Sequence, residues 1–161
     1  MEISLTKEES ELFDLLLGSL AYRKKNSIIR VAGGWVRDKV LKKESPDIDV
    51  ALDDQTGVEF ANGVNEYLVH LGQHTRTVAV IMANPDQSKH LETATLKVLG
   101  FDLDCVNLRA ECYTDSRIPE IVAGTAYDDA QRRDFTINAL FYNINTRCVE
   151  DLTGRGIDDL R

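Results

Sequence analysis

The chain has 161 residues, of which 43% are hydrophobic and 29% charged, a composition that predicts one soluble globular domain. Its net charge of -8 argues against nucleic-acid binding by overall electrostatic attraction. No apolar run is long enough to span a bilayer, and the three cysteines, Cys105, Cys112 and Cys148, form no CxxC pair. These features exclude a membrane protein and a disulfide scaffold. The acidic N-terminus is unlike a secretory signal, so we expect a cytoplasmic rather than secreted protein, with the nucleus and mitochondria as alternatives.

Helices and strands alternate through the first two thirds of the chain. Thr6 with Glu9 and Thr56 with Glu59 each form a T-x-x-E capping box, which predicts the start of a helix. Pro46 disfavours helix just before it and favours an extended segment after it. The predicted elements in chain order are a helix over 7–24, a strand over 27–32, a helix over 35–41, a strand over 47–52, a helix from 56 to about 71, and strands over 76–82, 93–98 and 101–108.

The last third of the chain has a less regular pattern. Residues 110–130 lack a clean period and are interpreted as a long loop that runs into a helix start. Residues 135–144 change from helix-like to strand-like, and 147–151 can pair back on them across Asn145-Thr146. The whole pattern predicts a mixed α/β domain with at least one hairpin.

Two acidic residues of the stretch DIDVAL carry the first chemical signal. Asp47 and Asp49 lie on one face of the predicted strand, and Ile48 and Val50 lie on the other. Carboxylates this close repel each other unless a cation lies between them, and Mg²⁺ takes such oxygen ligands together with substrate phosphates. The alternative is a pair of exposed acids on an edge strand. The pattern indicates a metal site at Asp47 and Asp49.

The adjacent glycines Gly33 and Gly34 lie at the turn between a predicted strand and helix. Without a Cβ atom, their backbone N–H groups can approach a phosphate, and the helix start adds the positive end of its dipole. Arg37, one turn into the helix, can make a forked contact with triphosphate oxygens. A glycine pair alone is often an ordinary turn, but beside the two acids it predicts a site for a metal-chelated nucleoside triphosphate.

A third acid is needed to hold and activate an attacking hydroxyl in a two-metal transfer. Asp102 and Asp104 share one face of the predicted strand over 101–108. If that strand pairs beside 47–52, Asp104 is the candidate for the third catalytic acid, with Asp102 behind it. Acids that simply face solvent are the alternative.

The stretch RRDFTINAL, residues 132–140, crowds polar side chains into a short segment. A helical conformation would place Asp134 and Asn138 one turn apart on one face. The alternative is a capped helix start with surface arginines. The candidates for ribose and triphosphate contacts are Arg132, Arg133, Asp134 and Asn138, and the expected apolar anchors are Phe135, Ile137 and Leu140.

Two other features are weaker signals. His70 and His74 have the i, i+4 spacing of a zinc helix, but the glutamate of an H-E-x-x-H motif and a third ligand are missing, so no zinc site is predicted. Trp35 lies in an amphipathic turn and is interpreted as a packing residue rather than a platform for a base.

Three motifs in this order resemble those of class II tRNA nucleotidyltransferases, the CCA-adding enzymes, and of the related bacterial poly(A) polymerases. The stretch AGGWVRDKVL...SPDIDVAL resembles their first motif, RRDFTINALFYN their second and EDLTGRGIDDLR their third. The stretch SKHLETATLKVLGFDLDCVNLRAECY is similar to the eukaryotic, fungal-type branch. The resemblance covers nearly the whole chain and implies the family's N-terminal catalytic head. It also implies the palm fold, an α/β (α+β) fold in which helices back a small, mostly antiparallel mixed sheet.

The resemblance also implies roles for individual residues. Residues 110–126 match a flexible loop that helps to switch from C to A addition. Asp151, Gly154 and Arg155 match the segment that joins the head to the next domain. The implied site comprises the metal-binding catalytic pair Asp47 and Asp49, the triphosphate-binding turn Gly33, Gly34 and Arg37 with a more structural Asp38, and the nucleotide and ribose contacts Arg132, Arg133, Asp134 and Asn138.

The family's remaining domains are not in this sequence. We expect residues 1–145 to form the catalytic head and residues 146–161 to connect it to a neck domain. The neck motif that selects the base, and the body and tail that grip tRNA, are absent. We therefore interpret the chain as a truncated head, with a natural short or split protein as the alternative.

The expected reaction is template-independent transfer of nucleotides to the 3′ end of tRNA. The tRNA 3′-hydroxyl attacks the α-phosphorus of CTP or ATP, and two Mg²⁺ ions on Asp47 and Asp49, helped by Asp104, activate the hydroxyl and stabilise pyrophosphate. The partners are nucleoside triphosphates and the tRNA 3′ end, with no membrane partner and an open oligomeric state. A CC-adding, A-adding or poly(A)-adding relative is one alternative, and a non-catalytic nucleotide-binding module is another.

Overall fold

The computed structural model describes residues 3–81, 92–112, 120–133 and 135–160, and gives only the backbone of residues 110–112 and 120–123. The helices are α1 (Lys7–Tyr22), α2 (Gly34–Val40), α3 (Gly57–His70), α4 (Ala126–Gln131) and α5 (Gly156–Asp159), with a 3₁₀ turn at Thr136–Asn138. The strands are β1 (Ile29–Ala32), β2 (Asp47–Leu52), β3 (Ala79–Ile81), β4 (Thr93–Val98), β5 (Phe101–Asn107), β6 (Arg109–Cys112), β7 (Glu120–Ala123), β8 (Phe141–Asn143) and β9 (Cys148–Glu150).

Seven strands form one sheet in the order β3-β4-β5-β2-β1-β8-β9. The β2–β5 pair is parallel, and the other described pairs of this sheet are antiparallel. The predicted α/β class, with a mostly antiparallel mixed sheet backed by helices, is confirmed. Among the described residues, no helix is both long and apolar enough to cross a lipid bilayer.

The sheet has one covered face and one face that is open at its centre. Ile48 and Val50 of β2 are fully buried in the main hydrophobic core, to which α1 and α3 also contribute. Side chains alternate along a strand, so Asp47 and Asp49 emerge on the opposite face, where both are exposed. The burial of the apolar face therefore determines where the acids point.

Local signals located most elements of the fold correctly. The predicted capping box at the start of α1 is present, since Thr6 Oγ1 accepts the Glu9 N–H and the Glu9 carboxylate accepts the Thr6 N–H. At α3 the Thr56 hydroxyl accepts the Glu59 N–H, so that helix also begins where predicted. The predicted return of 147–151 onto the preceding segment is confirmed by the antiparallel pairing of β9 with β8.

The predicted helix start at the end of residues 110–130 is confirmed by α4, but the loop before it is wrong at residues 110–112 and 120–123, which form strands. β6 and β7 pair with each other in a separate two-stranded sheet, and α4 follows with its own capping box at Thr125 and Asp128. Four-residue strands are too short to show a period, and their stability comes from pairing across the chain. The predicted flexible loop falls partly on residues 113–119, which lie outside the described residues. The boundary between a head and a connecting segment at 145/146 stays a prediction.

Candidate active site

The acids of two neighbouring strands meet on the open face of the sheet. β2 and β5 run parallel, with Asp49 beside Asp104 and Asp47 beside Asp102. Thr95 of β4 lies on the other side of Asp104. The pairing on which the choice of Asp104 depended is therefore present.

The surroundings of Asp49 and Asp104 raise the pKa of both carboxylates. Loss of surrounding water and then the charge of Asp104 raise the pKa of Asp49, and the Arg133 guanidinium partly opposes this shift. Loss of water also raises the pKa of Asp104; a hydrogen bond with Asp49 opposes this rise, and the charges of Asp47 and Asp102 reinforce it. A cation at this position would relieve the repulsion among the acids.

This donor set fits a hard divalent cation that keeps water and substrate oxygens as ligands. Mg²⁺-type sites commonly use one or two carboxylates and take their remaining ligands from phosphates and water. Within the described part of the chain, no group of three or more His, Cys, Asp or Glu side chains could hold a metal ion. The acids of β2 and β5 could therefore supply only part of the coordination shell of such a cation.

The glycine turn after β1 brings the first and second motifs into contact. Gly33 has φ +70°, and its N–H donates to the Leu140 carbonyl over 3.1 Å. A Cβ atom at Gly33 would lie 3.4 Å from Arg133 Nη1 and 3.7 Å from the Asn138 carbonyl. Arg133 therefore lies directly against the turn that opens α2.

Replacing Gly33 with alanine should lower the free energy of unfolding by about 2 kcal/mol, because a side chain strains this backbone conformation. The matched control is Gly72→Ala, which has a similar φ of +75° and open space around the added atom. We expect that control to lose about 1 kcal/mol. Denaturant unfolding of both variants measures the difference, and equal losses would contradict the extra backbone strain expected at Gly33, whose ψ is -128°.

Arg37 is oriented by partners from both motifs. Its Nη1 donates to Asn138 Oδ1 over 2.8 Å, and its Nε donates to Asp38 Oδ1 over 3.1 Å. A Cβ atom at Gly34 would lie 3.4 Å from Arg37 Nη2, so the guanidinium lies over the glycine pair. The predicted nucleotide-binding residues Gly33, Gly34, Arg37, Asp38 and Asn138 are thus brought together.

The described residues of 132–140 do not form the helix that was considered for the second motif. α4 ends at Gln131, the backbone at Phe135 is extended, and a 3₁₀ turn follows. Asp134 lies outside the described residues. Phe135 is 63% exposed and is not an anchor, Ile137 is half-buried, and Leu140 is fully buried as predicted. The extended residue ends the helical periodicity on which the prediction depended.

Sequence reasoning missed the buried acid Asp129 of α4. Its carboxylate pairs with Arg133 at 3.0 Å and Arg132 at 3.4 Å, and it accepts the Arg109 backbone N–H over 2.8 Å. The i, i+3 and i, i+4 spacing from Asp129 to the two arginines was the available signal. Loss of water, followed by the charge of Arg132, lowers the pKa of Arg109.

Comparison with known proteins agrees with this arrangement. The family model described as the poly A polymerase head domain matches residues 29–161. The chain belongs to the poly(A) polymerase head-domain family. The predicted resemblance to CCA-adding enzymes and poly(A) polymerases is thereby confirmed.

Relatives of this head domain include fungal enzymes. The tRNA nucleotidyltransferase cca2 of Schizosaccharomyces pombe is 52% identical over 139 residues, which cover 83% of this chain and 29% of that protein. The mitochondrial CCA tRNA nucleotidyltransferase of Saccharomyces cerevisiae is 46% identical over 172 residues, which cover 99% of this chain and 32% of that protein. The chain thus spans about a third of the length of these relatives.

Solved structures share the fold of the head domain. A CCA-adding enzyme in its apo form II has a TM-score of 0.72 at 28% identity, over 97% of this chain and 34% of that one. A complex of a CCA-adding enzyme with CTP has a TM-score of 0.65 at 27% identity, over 97% of this chain and 32% of that one. These neighbours confirm the predicted fold.

The third motif of the head domain packs against the second. Asp151 Oδ1 accepts the Gly156 N–H and Oδ2 accepts the Ile157 N–H, each over 3.0 Å, which holds the start of α5. A Cβ atom at Gly156 would lie 2.7 Å from both Leu140 Cδ2 and the Thr136 carbonyl. α5 is therefore packed closely against the 3₁₀ turn that carries Asn138.

The two weaker sequence features also have clear positions in the head domain. Trp35 is 3% exposed, and its ring packs on Phe13 and Tyr142 at centroid distances of 5.7 and 5.8 Å. The interpretation of Trp35 as a packing residue is confirmed. His70 stacks on Tyr22 with a centroid distance of 4.4 Å.

Proposed function

We propose that this chain is the catalytic head of a CCA-adding tRNA nucleotidyltransferase, which transfers CMP and AMP units from CTP and ATP to the tRNA 3′ end. The observation that carries the proposal is the position of Asp49 beside Asp104 on one face, next to the glycine turn and Arg133. The names of the fungal relatives, and the neighbour in complex with CTP, support this reaction and this substrate class.

The nucleoside triphosphate would bind between the two motifs. Backbone N–H groups of Gly33 and Gly34 would approach the phosphates, and the guanidinium of Arg37 would pair with them. Arg132 and Arg133, at the end of α4, would supply further positive charge to the triphosphate. For the ribose we propose Asn138 and Asp134, the latter from its motif position alone.

Asp47 and Asp49 would hold Mg²⁺, with Asp104 as the third acid. When bound, two Mg²⁺ ions supply positive charge that polarises the α-phosphate and lowers the pKa of the attacking hydroxyl. The adjacent carboxylates of Asp49 and Asp104, whose pKa values are both raised, support a divalent cation at this position.

The order of the strands suggests how the two substrates approach each other. Asp104 on β5 and the glycine turn after β1 flank Asp49 on β2, which lies between them in the sheet. In-line displacement requires the attacking and leaving groups to lie on opposite sides of the phosphorus. We infer that pyrophosphate leaves toward Gly33 and Arg37 and that the tRNA 3′-hydroxyl enters from the β5 side. Catalysis would then depend mainly on positioning and charge neutralisation.

Two narrower questions belong to the same proposal. A CC-adding, A-adding or poly(A)-adding activity would use the same acids and differ only in which base is accepted. A non-catalytic module would bind nucleotide without turnover.

Among the possible cellular compartments we include mitochondria, because the relative from Saccharomyces cerevisiae is a mitochondrial enzyme by name.

A nucleotide-incorporation assay tests the proposal. The chain is incubated with Mg²⁺, labelled CTP or ATP, and tRNA that ends before CCA, after C or after CC, with EDTA as the control. We expect extension that EDTA abolishes, and the pattern of incorporated bases shows how far specificity persists without the neck motif. Addition of C alone, A alone or long A tracts would identify one of the other specificities. Nucleotide binding without any extension would support the non-catalytic module instead.

A further inference from the structure

Asp129 occupies a position unlike that of the other acids near the site. It is 2% exposed, lies in the last turn of α4 and pairs with the two arginines that follow it. Burial of a carboxylate is costly unless charged partners and hydrogen bonds compensate for it. Asp129 has two charged partners and a hydrogen bond from a backbone N–H, which together compensate for its burial.

The contacts of Asp129 divide between two structural units. Oδ1 accepts from Arg133 Nε over 3.1 Å and pairs with its Nη2 at 3.0 Å, while Arg132 Nη2 approaches Oδ2 at 3.4 Å. Oδ2 also accepts the backbone N–H of Arg109 over 2.8 Å, at the first residue of β6. One carboxylate thus holds both arginines of the second motif and the base of the β6–β7 hairpin.

The two arginines remain partly accessible to solvent. Their side chains are each 25% exposed, although their shared partner is almost completely buried. Arg133 Nη1 lies beside Gly33, and the Nε atom of Arg132 is buried with no hydrogen-bond partner among the described residues. Two cations that share one anion leave a net positive charge for an incoming phosphate.

We propose that Asp129 is a positioning residue that holds Arg132 and Arg133 in the geometry that binds the triphosphate and links them to the base of the β6–β7 hairpin. This inference rests on the proposed nucleotide site. A forked guanidinium contact depends on orientation as well as on charge. Fixing both arginines before the substrate arrives reduces the entropy lost on binding.

Neutralising Asp129 separates positioning from simple charge because the two effects have opposite signs. Asp129→Asn removes a negative charge beside two arginines, so attraction alone would tighten the binding of a triphosphate. Loss of the ion pairs releases the two side chains, so the positioning role predicts weaker binding. The asparagine oxygen can still accept the N–H of Arg109, which keeps the hairpin attached.

The test measures the affinity of the chain for ATP and for inorganic tripolyphosphate by titration calorimetry, without tRNA. Asp129→Asn should weaken both ligands by about tenfold, the size of one charge-assisted hydrogen bond. The matched control is Asp128→Asn, which makes the same charge change one residue earlier. Asp128 caps the helix through the Thr125 N–H and is outside the arginine cluster, so its variant should bind normally.

Two further variants complete the test. Asp129→Glu keeps the charge but moves the carboxylate by about one bond length, and it should also weaken binding; this variant serves if Asp129→Asn does not fold. In an Arg132→Met/Arg133→Met background, Asp129→Asn should have almost no further effect on affinity, whereas a purely structural role would give the same loss in both backgrounds.

The outcomes distinguish this inference from the proposed function. Unchanged or tighter triphosphate binding by Asp129→Asn, with normal binding by the wild type, overturns the positioning role and leaves the nucleotide site in place. A wild-type chain that binds neither ATP nor tripolyphosphate overturns the proposed site itself. Weaker binding by both Asp129 variants and normal binding by Asp128→Asn supports the positioning role.

Discussion

Replacing Asp49 with asparagine should reduce nucleotide transfer by about 10³-fold or more, while the chain without metal becomes slightly more stable. Asp49 is proposed to hold the cation, and its carboxylate lies beside that of Asp104. Like charges on neighbouring strands destabilise a sheet, so the neutral amide should raise the free energy of unfolding by about 0.5 kcal/mol. A residue whose replacement lowers activity and raises stability contributes to catalysis rather than to folding.

The measurement combines the tRNA extension assay with thermal unfolding in EDTA and in Mg²⁺. Because a ligand of the folded state raises its stability, Mg²⁺ should raise the Tm of the wild type and have much less effect on Asp49→Asn. The control is Asp14→Asn on α1, an exposed residue in a surface pair with Arg147. Its activity should stay within about twofold of the wild type. Full transfer activity of a purified Asp49→Asn chain would refute the assignment.

Replacing Glu9 with alanine should lower the free energy of unfolding by about 3–5 kcal/mol, because it leaves a buried cation without its partner. Glu9 is 2% exposed, and its Oε1 accepts from Lys39 Nζ over 2.7 Å and from the Thr6 N–H over 2.8 Å. Its Oε2 accepts from Trp35 Nε1 over 3.2 Å. The Lys39 side chain is only 6% exposed, so its ammonium group would lose its main charged partner while still largely buried.

This network joins the start of α1 to α2, the helix that carries Gly34 and Arg37. Denaturant unfolding measures the loss, with Glu8→Ala as the matched control, since Glu8 lies in the same turn and is exposed. The double variant Glu9→Met/Lys39→Met should recover only part of the stability, because it removes both charges but leaves Trp35 Nε1 and the Thr6 N–H without their acceptor. A loss below about 1 kcal/mol for Glu9→Ala would contradict the buried pair.

Short-range patterns were sufficient for much of the fold. Capping residues located the starts of α1 and α3, and alternation in DIDVAL put Ile48 and Val50 on the buried face. These signals are sufficient because the residues that interact lie within one helical turn or one strand. The β6–β7 hairpin was missed because each of its strands is too short for a period and is stabilised only by its partner.

The second motif shows where local reasoning fails within the site. A helical conformation was considered for residues 132–140 and Phe135 was expected to be an apolar anchor, yet the extended backbone there leaves its ring 63% exposed. Contacts with neighbouring residues determine the backbone path of the motif. Asp129 pairs with Arg132 and Arg133 at its start, and α5 packs on the 3₁₀ turn that follows. Tertiary contacts therefore overrode the local helical preference.

The sequence by itself determined which residue types are available: a pair of acids on one strand face, a glycine pair before a helix, and a cluster of arginines. Only the tertiary structure decided which of them meet. Asp49 lies beside Asp104 through a parallel register set by the buried side chains of β2 and β5. Arg37 meets Asn138 across 101 positions of sequence. Such contacts depend on how the whole core packs, and no periodicity within one segment encodes them.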